Sequence, residues 1–430
     1  MLAGTTPMKL FAALGPGDIV ATHRAMQAGN RSADQTAIPF STQLAEYCRL
    51  RGIALLATSS CDRPDETTDS NPDTPDPAPI RLVNRPAPWA WRGGWRFHAG
   101  RIRYAWRLAR MARRFGADLA LIDSGTSHYF ALALFRLLGV PVAVNFHNVR
   151  WPQGFPPRRR IHRAVMALDD LFFRHVAAGA IGCSPACGEQ ARARGAARLP
   201  WFEWAGQFSR EGMVARRPDP AAFRLLFAGR IEPAKGVFDL LAIARALHGR
   251  APRPVIIDIC GDGGALDALR QAVADANLAE PGPTESGLAG SVRVHGRLAR
   301  AEMLALYARA DAVIVPTRGD FCEGMPLVCA EAVLMGLPIV TSRLSNALPL
   351  LGPAIAKAEP EDIESYAAAI LRLMTDAPFR DRLTTACPTL APRFLDRTQS
   401  YPAALDRLIQ ALALRPPREV TAEAVFERLG

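Results

Sequence analysis

Apolar runs of strand length alternate with longer amphipathic segments along almost the whole of this 430-residue chain. In its first half the apolar runs occupy residues 8–14, 53–58, 80–83, 119–122, 140–146 and 179–183. A strand that is buried on both faces reads as a continuous apolar run, and the helix that connects two parallel strands reads as an amphipathic one. The alternation therefore predicts βαβ units and a parallel sheet.

A second series of the same kind begins after a basic, proline-rich linker, Arg216-Arg217-Pro218-Asp219-Pro220. Its predicted strands are residues 223–228, 255–260, 292–295, 312–315 and 338–341, and its predicted helices include 236–247, 265–276 and 301–308. The chain is also too long for one ordinary hydrophobic core. We therefore predict two doubly wound α/β domains, residues 1–205 and 219–398, with a ligand cleft at the carboxyl ends of their strands.

Other parts of the sequence narrow the class of protein. Residues 62–79, rich in Asp, Pro, Thr and Ser, predict an acidic exposed loop within the first domain. The longest apolar stretch, residues 129–144, contains Arg136 and falls short of the roughly 20 residues of a bilayer span. The cysteines lack C-x2-C spacing, and there is no H-E-x-x-H motif. We expect a cytoplasmic protein with reduced thiols, no secretory signal, no metal and no other cofactor.

The positive charge of the chain lies in its first half. Residues 1–200 contain 26 Lys and Arg against 14 Asp and Glu, whereas the remaining 230 residues contain 26 against 27. Arginines interleaved with Tyr104 and Trp106 fill residues 101–114, and Arg158-Arg159-Arg160 lies close to Arg163. Basic helices with aromatic side chains suit an anionic membrane surface. A solvated arginine-rich face is the alternative, and nucleic acid is disfavoured because no binding motif accompanies the charge.

Two carboxylates lie eight positions apart in Phe321-Cys322-Glu323-Gly324-Met325-Pro326-Leu327-Val328-Cys329-Ala330-Glu331. Pro326 suits the first turn of a helix, and the free N–H groups of that turn bind phosphate or sugar oxygens. Glu323 stands at the mouth of this site. Glu331 lies in an apolar helix, where a carboxylate requires a partner. We predict that the two carboxylates bind both ends of a nucleotide sugar; two ordinary helix carboxylates are the alternative.

Glycine-containing turns follow several predicted strands. Gly229 and Arg230 follow the first strand of the second domain, and Lys235 lies five positions beyond Arg230, so the loop carries the charge that a diphosphate needs. The turn Gly261-Asp262-Gly263-Gly264 departs from the G-x-G-x-x-G fingerprint, which disfavours a nicotinamide enzyme. At the other strand ends the candidate ligand-binding residues are Gly296, Arg297, Gly15, Gly17 and His147. Each of these has a plain turn or a structural histidine as its alternative reading.

The second domain resembles family 4 glycosyltransferases, group 1, which are retaining enzymes of the GT-B fold. The segments that carry the resemblance occur in the family's order within residues 225–369: Phe227-Ala228-Gly229-Arg230 with Lys235-Gly236, Ile259-Cys260-Gly261-Asp262-Gly263, Val294-His295-Gly296, Ala310-Asp311-Ala312-Val313-Ile314-Val315-Pro316, and Glu323 to Glu331. The first half matches loosely, through Gly15, Gly17 and His147. At residues 199–208 the sequence departs from the family's usual hinge segment.

The resemblance implies a role for each matching position. Arg230 and Lys235 would bind the donor diphosphate, Glu323 the sugar hydroxyls, Glu331 the ribose, and His147 the sugar or acceptor. Backbone groups of Gly324, Met325, Pro326 and Leu327, with Gly15, Gly17, Gly229, Gly261, Gly296 and Arg297, would complete the donor site. A helix at 400–416 would pack back on the first domain.

The activity implied is transfer of a sugar from a nucleoside diphosphate to an acceptor hydroxyl, without a metal. We predict a lipid-linked or polysaccharide-precursor acceptor, and the lipid part of this prediction rests on the basic first half of the chain alone. The expected partners are the nucleotide sugar, that acceptor and an anionic membrane surface, with no nucleic acid. A catalytically silent scaffold subunit and a nucleotide-sugar epimerase on the same fold are the alternatives.

Overall fold

The computed structural model describes residues 7–29, 36–69, 78–86, 94–278 and 290–429. Within these ranges no helix is both long enough and apolar enough to cross a lipid bilayer. The described residues also contain no group of three or more His, Cys, Asp or Glu side chains arranged to hold a metal ion.

The first domain is built on a sheet whose strand order is β3-β4-β2-β1-β5-β6-β7-β8. Every neighbouring pair is parallel except β3 and β4, which run antiparallel. The strands are β1 (Lys9–Pro16), β2 (Ala54–Ser60), β3 (Asp65–Asp69), β4 (Ile80–Arg85), β5 (Leu119–Asp123), β6 (Val142–Phe146), β7 (Gly179–Gly182) and β8 (Trp201–Glu203). The helices are α1 (Ile19–Gln27), α2 (Phe40–Arg51), α3 (Gly94–Phe115), α4 (Ala133–Leu137), α5 (Arg160–His175) and α6 (Pro185–Arg192).

The second domain is built on an all-parallel sheet of order β11-β10-β9-β12-β13-β14. Its strands are β9 (Phe223–Ala228), β10 (Val255–Cys260), β11 (Val292–Gly296), β12 (Ala312–Val315), β13 (Ile339–Ser342) and β14 (Ile355–Ala358). Its helices are α7 (Asp239–Leu247), α8 (Leu266–Leu278), α9 (Arg300–Arg309), α10 (Leu327–Leu334), α11 (Leu348–Leu351), α12 (Ile363–Thr375) and α13 (Ala377–Leu390). Helices α14 (Tyr401–Ala411) and α15 (Ala422–Leu429) follow.

The strand order reverses once in each sheet, and the reversals position the functional loops. In the first sheet β1 lies between β2 and β5, and in the second β9 lies between β10 and β12. At such a switch point the loops that leave two neighbouring strands diverge, which opens a crevice at their carboxyl ends. The loops after β1 and β5, and those after β9 and β12, therefore line the ligand-binding edges of the two domains.

The predicted acidic loop at residues 62–79 was wrong in part. Residues Asp65–Asp69 form strand β3, which pairs with β4 at the edge of the first sheet. The side chain of Arg24 forms an ion pair with Asp65, and Arg81 forms one with Glu66, so the carboxylates neutralise neighbouring arginines instead of facing solvent alone. Residues 70–77 of this predicted loop lie outside the described ranges.

The chain returns from the second domain to the first. Tyr401, Leu405, Leu408 and Ile409 of α14 are buried in the core of the first domain, against β7, β8 and α2. The segment between the domains is tied to this return, since the amide of Ala205 donates to the carbonyl of Gln399 at 2.7 Å. The two domains are thus joined by two crossings of the chain, which limits how far they can separate.

Candidate functional site

The glycine turns after β9 and β10 pack directly on each other. The amide of Gly229 donates to the carbonyl of Cys260 at 3.0 Å. Gly261 has a φ of +141°, and a Cβ atom there would lie 1.7 Å from the carbonyl oxygen of Gly229. No side chain can be accommodated at this approach. Glycine at position 261 thus lets the loop that carries Arg230 pack closely against the turn that follows β10.

Lys235 and Glu323 form an ion pair between the loops that follow β9 and β12. Their side chains are 13% and 10% exposed. Thr317 donates a hydrogen bond to the same carboxylate at 3.2 Å, and the ammonium of Lys235 lies 4.3 Å from the centre of the Phe321 ring. The side-chain amide of Asn346 donates to the backbone carbonyl oxygen of Glu323, which fixes the loop that carries this carboxylate. Cation and carboxylate are thereby held side by side at the switch point.

Arg230 is held differently. Its guanidinium is 63% exposed and makes a 2.9 Å ion pair with Glu232. It also lies 5.5 Å from the centre of the Phe321 ring, on which Lys235 rests as well. An exposed ion pair of this kind contributes little to stability and breaks readily. Arg230 is therefore free to turn towards an anion that enters beside Lys235.

Helix α10 begins directly beneath this cluster and places its amino terminus against the first domain. Pro326 is its N-cap residue. A Cβ atom at Gly324 would lie 1.9 Å from the carbonyl oxygen of His147 and 2.5 Å from the Sγ atom of Cys183. Gly324 is thus the point where the second domain touches the two strand ends, β6 and β7, of the first. The free N–H groups of the helix start and its positive dipole end favour an anion there.

Glu331, on the same helix, has protein partners in this structure. Its carboxylate accepts hydrogen bonds from the hydroxyl of Thr36, which precedes α2, and from the hydroxyl of Tyr307 on α9. Burial raises the pKa of the Glu331 carboxyl, and the two hydrogen bonds partly offset that rise. The carboxylate therefore links the segment that precedes α2 to the second domain.

His147 is oriented by a buried polar network of the first domain. Its Nε2 atom lies 3.0 Å from Asp123, which ends β5, and 2.8 Å from the side-chain nitrogen of Asn145. Asn145 also donates to Asp123 at 2.8 Å and accepts from the indole of Trp204 at 3.0 Å. The backbone amide of Gly15 donates to Asp123 at 3.0 Å. Asp123 thus connects the β1 turn to the imidazole that faces the cleft.

The structure brings most of the predicted site residues together around one cleft of about 630 Å³. Among the predicted residues, those that line it are His147, Gly229, Arg230, Lys235, Gly261, Arg297, Glu323, Gly324, Met325, Pro326, Leu327 and Glu331. Gly296 falls outside the lining but binds the Gly261 amide through its carbonyl, at 2.8 Å. Gly15 and Gly17 are not among the residues that line this cleft. The amide of Gly15 donates to Asp123 and that of Gly17 to the carbonyl of Ser60, and their assignment to donor binding stays a prediction.

Several residues of the site were missed from the sequence. Asp123 directly follows the predicted strand 119–122, and a carboxylate at a strand end can indicate a ligand-binding site. A single carboxylate at such a position is common, however, so the sequence did not distinguish Asp123 from other acidic residues. Thr36, Tyr307 and Asn346 carried no signal, because each reaches the site from an element whose placement depends on the tertiary fold. The hinge segment, residues 199–208, also carried no signal in the sequence. In the structure its Trp204 orients Asn145.

Comparison with known proteins places this geometry in context. Residues 222–376 match the family model described as glycosyl transferases group 1, and residues 37–201 match the glycosyl transferase 4-like domain. Glycogen synthase of Mycobacterium tuberculosis is 26% identical over 320 residues, which cover 67% of this chain and 72% of that protein. O-antigen chain mannosyltransferase B of Escherichia coli is 29% identical over 171 residues, 39% of this chain and 41% of that one.

The fold is shared with solved structures of low sequence identity. A trehalose-6-phosphate structure from E. coli, bound with UDP-2-fluoro glucose, superposes with a TM-score of 0.67 at 13% identity and covers 94% of this chain and 98% of that one. A cleft between two doubly wound domains, with Lys235 and Glu323 at the switch point of the second, defines a glycosyltransferase of the GT-B fold. The chain belongs to the family 4, group 1 glycosyltransferases. The relatives are transferases, so neither a silent scaffold nor an epimerase is favoured.

Proposed function

We propose that this enzyme is a retaining glycosyltransferase that moves a sugar from a nucleoside diphosphate to a hydroxyl group of a lipid-linked or polysaccharide-precursor acceptor. The observation that carries the proposal is the Lys235–Glu323 ion pair at the start of α10. It sets a cation and a hydrogen-bond acceptor next to each other, as a diphosphate joined to a sugar requires. The relatives include a glycogen synthase and an O-antigen mannosyltransferase, which supports a polysaccharide-type product.

Each charged group has a part in donor binding under this proposal. Lys235 and Arg230 bind the diphosphate, Arg230 after leaving Glu232, and the amino terminus of α10 adds its N–H groups. Glu323 accepts hydrogen bonds from the sugar hydroxyls. Glu331 exchanges its hydrogen bond from Thr36 for one from the ribose. The two cations and the helix terminus supply the positive charge, so we expect no metal to be needed.

In a retaining transfer the bond between the anomeric carbon and the phosphate oxygen breaks, and the acceptor oxygen bonds to the same face of that carbon. The acceptor proton passes to the departing diphosphate, so charge and atoms balance. Negative charge grows on the diphosphate as the bond breaks, and fixed cations at that point lower the barrier. Lys235, held by Glu323 and the Phe321 ring, meets this requirement without reorganising.

A donor panel tests the proposed activity. We expect the purified protein to hydrolyse slowly, or to transfer to a membrane lipid extract, the sugar of one member of a set of UDP- and GDP-sugars. The anomeric configuration of the product, read by proton NMR coupling constants, should match that of the donor. Absence of donor binding and turnover across the panel, or an inverted product, would contradict the proposal.

An anionic membrane surface is the proposed location of the acceptor. Helix α5 exposes an apolar row, Ile161, Leu168 and Leu171, while its opposite face is buried. Arg159, Arg160 and Arg163 stand at the exposed start of this helix. An exposed apolar row flanked by arginines suits insertion at a headgroup layer that carries negative charge. The lipid part of the proposal rests on this surface and on the basic first half.

Vesicle sedimentation tests that part separately. We expect the protein to sediment with phosphatidylcholine vesicles that contain roughly 30 mol% phosphatidylglycerol, and less so as salt screens the attraction. The variant L168S/L171S should lose most of this binding. V214S changes an equally exposed apolar side chain beside the interdomain linker and is the matched control. Equal sedimentation of the two variants would argue against a membrane role for α5.

A further inference from the structure

A groove on the first domain remains unassigned by the function proposed above. It has a volume of about 610 Å³ and runs along the amino-terminal half of α3. We call it the arginine groove and define it by Arg96, Arg103 and Arg107, with Trp95 and Tyr104. Arg103 and Arg107 lie one helical turn apart, about 6 Å along the axis, so their guanidinium groups can bracket one phosphate group.

Ion pairing distinguishes these three arginines from others of the first domain. Within the described ranges no carboxylate lies at ion-pair distance from Arg96, Arg103 or Arg107, although Arg24, Arg49, Arg51, Arg81 and Arg150 of the same domain each have one. Arg96 instead lies 5.7 Å from the centre of the Trp95 ring. Like charges that converge on one groove without counter-charges repel each other, and an anion that binds between them relieves the repulsion.

The groove opens at the same edge of the first sheet as the catalytic cleft. Tyr104 is buried and forms a side-chain hydrogen bond with Ser60, the last residue of β2. The carbonyl of Ser60 accepts from the amide of Gly17 at 3.1 Å. The same β1 turn reaches Asp123 through Gly15, and Asp123 holds His147. The groove and the imidazole are therefore attached to one turn.

The helix that carries the groove is fixed to the neighbouring strand end. The guanidinium of Arg101 donates to the carbonyl of Gly125 at 2.6 Å, and Ser127 donates to the carbonyl of Arg101 at 2.9 Å. His98 and His128 are in contact at 2.9 Å between ring nitrogens, with their rings stacked. The three contacts hold the start of α3 over the loop that follows β5, so the arginines keep a defined position relative to the cleft.

We propose that the arginine groove binds a phosphate or diphosphate group of the acceptor, and that the acceptor is therefore phosphorylated. This inference rests on the proposed function, because it assumes that the first domain receives the acceptor. The phosphate would be bound by Arg103 and Arg107, and the rest of the acceptor would lie across the β1 turn towards His147. The positive charge of α3 then serves the substrate, whereas the apolar row of α5 faces the membrane.

Equilibrium binding of inorganic pyrophosphate to the full chain tests the inference. The background variant R230Q/K235Q removes the donor diphosphate site, so that the remaining binding reports on the groove. Adding R103Q/R107Q should weaken pyrophosphate binding by about tenfold or more. Adding R110Q/R114Q instead removes the same charge from the same helix outside the groove, and should change the affinity by less than about twofold.

Two results would overturn the inference. One is an equal effect of the two arginine pairs on pyrophosphate binding, which would mean that net charge alone attracts the anion. The other is a loss of vesicle sedimentation in R103Q/R107Q with unchanged pyrophosphate affinity, which would assign the groove to phospholipid headgroups. Failure of the proposed function would give a different result. In that case R230Q/K235Q would bind the nucleotide sugar no more weakly than the unmodified protein, whichever substitutions are added in the arginine groove.

Discussion

Replacing Lys235 with alanine is expected to lower kcat by about 10²–10³-fold, the usual effect of removing one preorganised charge that stabilises a leaving group. The same change leaves the carboxylate of Glu323, a residue that is 8% exposed, without its cation. We expect a loss of roughly 1–3 kcal/mol in the free energy of unfolding, the range for an unsatisfied buried group, since Thr317 still donates to it. Steady-state kinetics and urea unfolding measure the two effects.

The double variant K235A/E323Q separates catalysis from stability. Neutralising both partners should restore most of the lost stability while turnover stays low, because the diphosphate has lost its cation and the sugar its acceptor. Recovery of turnover in the double variant would mean that the ion pair is structural. E232Q is the matched control: it frees Arg230 from an exposed ion pair, and we expect it to alter kcat by less than about twofold.

Replacing Gly324 with alanine is expected to lower kcat by about 10²-fold or more with little change in the stability of either domain. The added methyl group would lie 1.9 Å from the carbonyl oxygen of His147, on the facing domain. Gly324 is not among the glycines with positive φ, so its backbone accepts alanine and the clash is one of domain closure. Kinetics, thermal unfolding and small-angle scattering together measure the effect.

The expected signature of G324A is an enzyme that still binds donor but turns it over poorly, with a larger radius of gyration. G352A is the control, because no atom lies within 4 Å of a Cβ added at that glycine and its φ is negative. Normal turnover in G324A would show that the contact with His147 is not needed in the closed enzyme. Unfolding of G324A at the temperature of the assay would instead point to a folding role for this contact.

Much of the fold could be predicted from the sequence, because it depends on local pattern. Strands β9, β10 and β12 begin and end at the predicted residues. Each is a buried parallel strand and reads as an unbroken apolar run. Strands β3, β8 and β14 were missed because they are short or polar and are formed through pairing with a neighbour. Edge strands of this kind take their structure from the sheet rather than from their own composition.

The sequence by itself determined the half of the candidate site that lies on the second domain. Arg230, Lys235 and Glu323 follow β9 and β12 as local loop sequences, and a doubly wound sheet brings the carboxyl ends of neighbouring strands together. Only the tertiary structure decided what these side chains contact. The ion pair of Lys235 with Glu323 joins residues 88 positions apart, and the hydrogen bond from Thr36 to Glu331 joins residues 295 positions apart. Such contacts depend on how two separate domains meet, a property that no local pattern encodes.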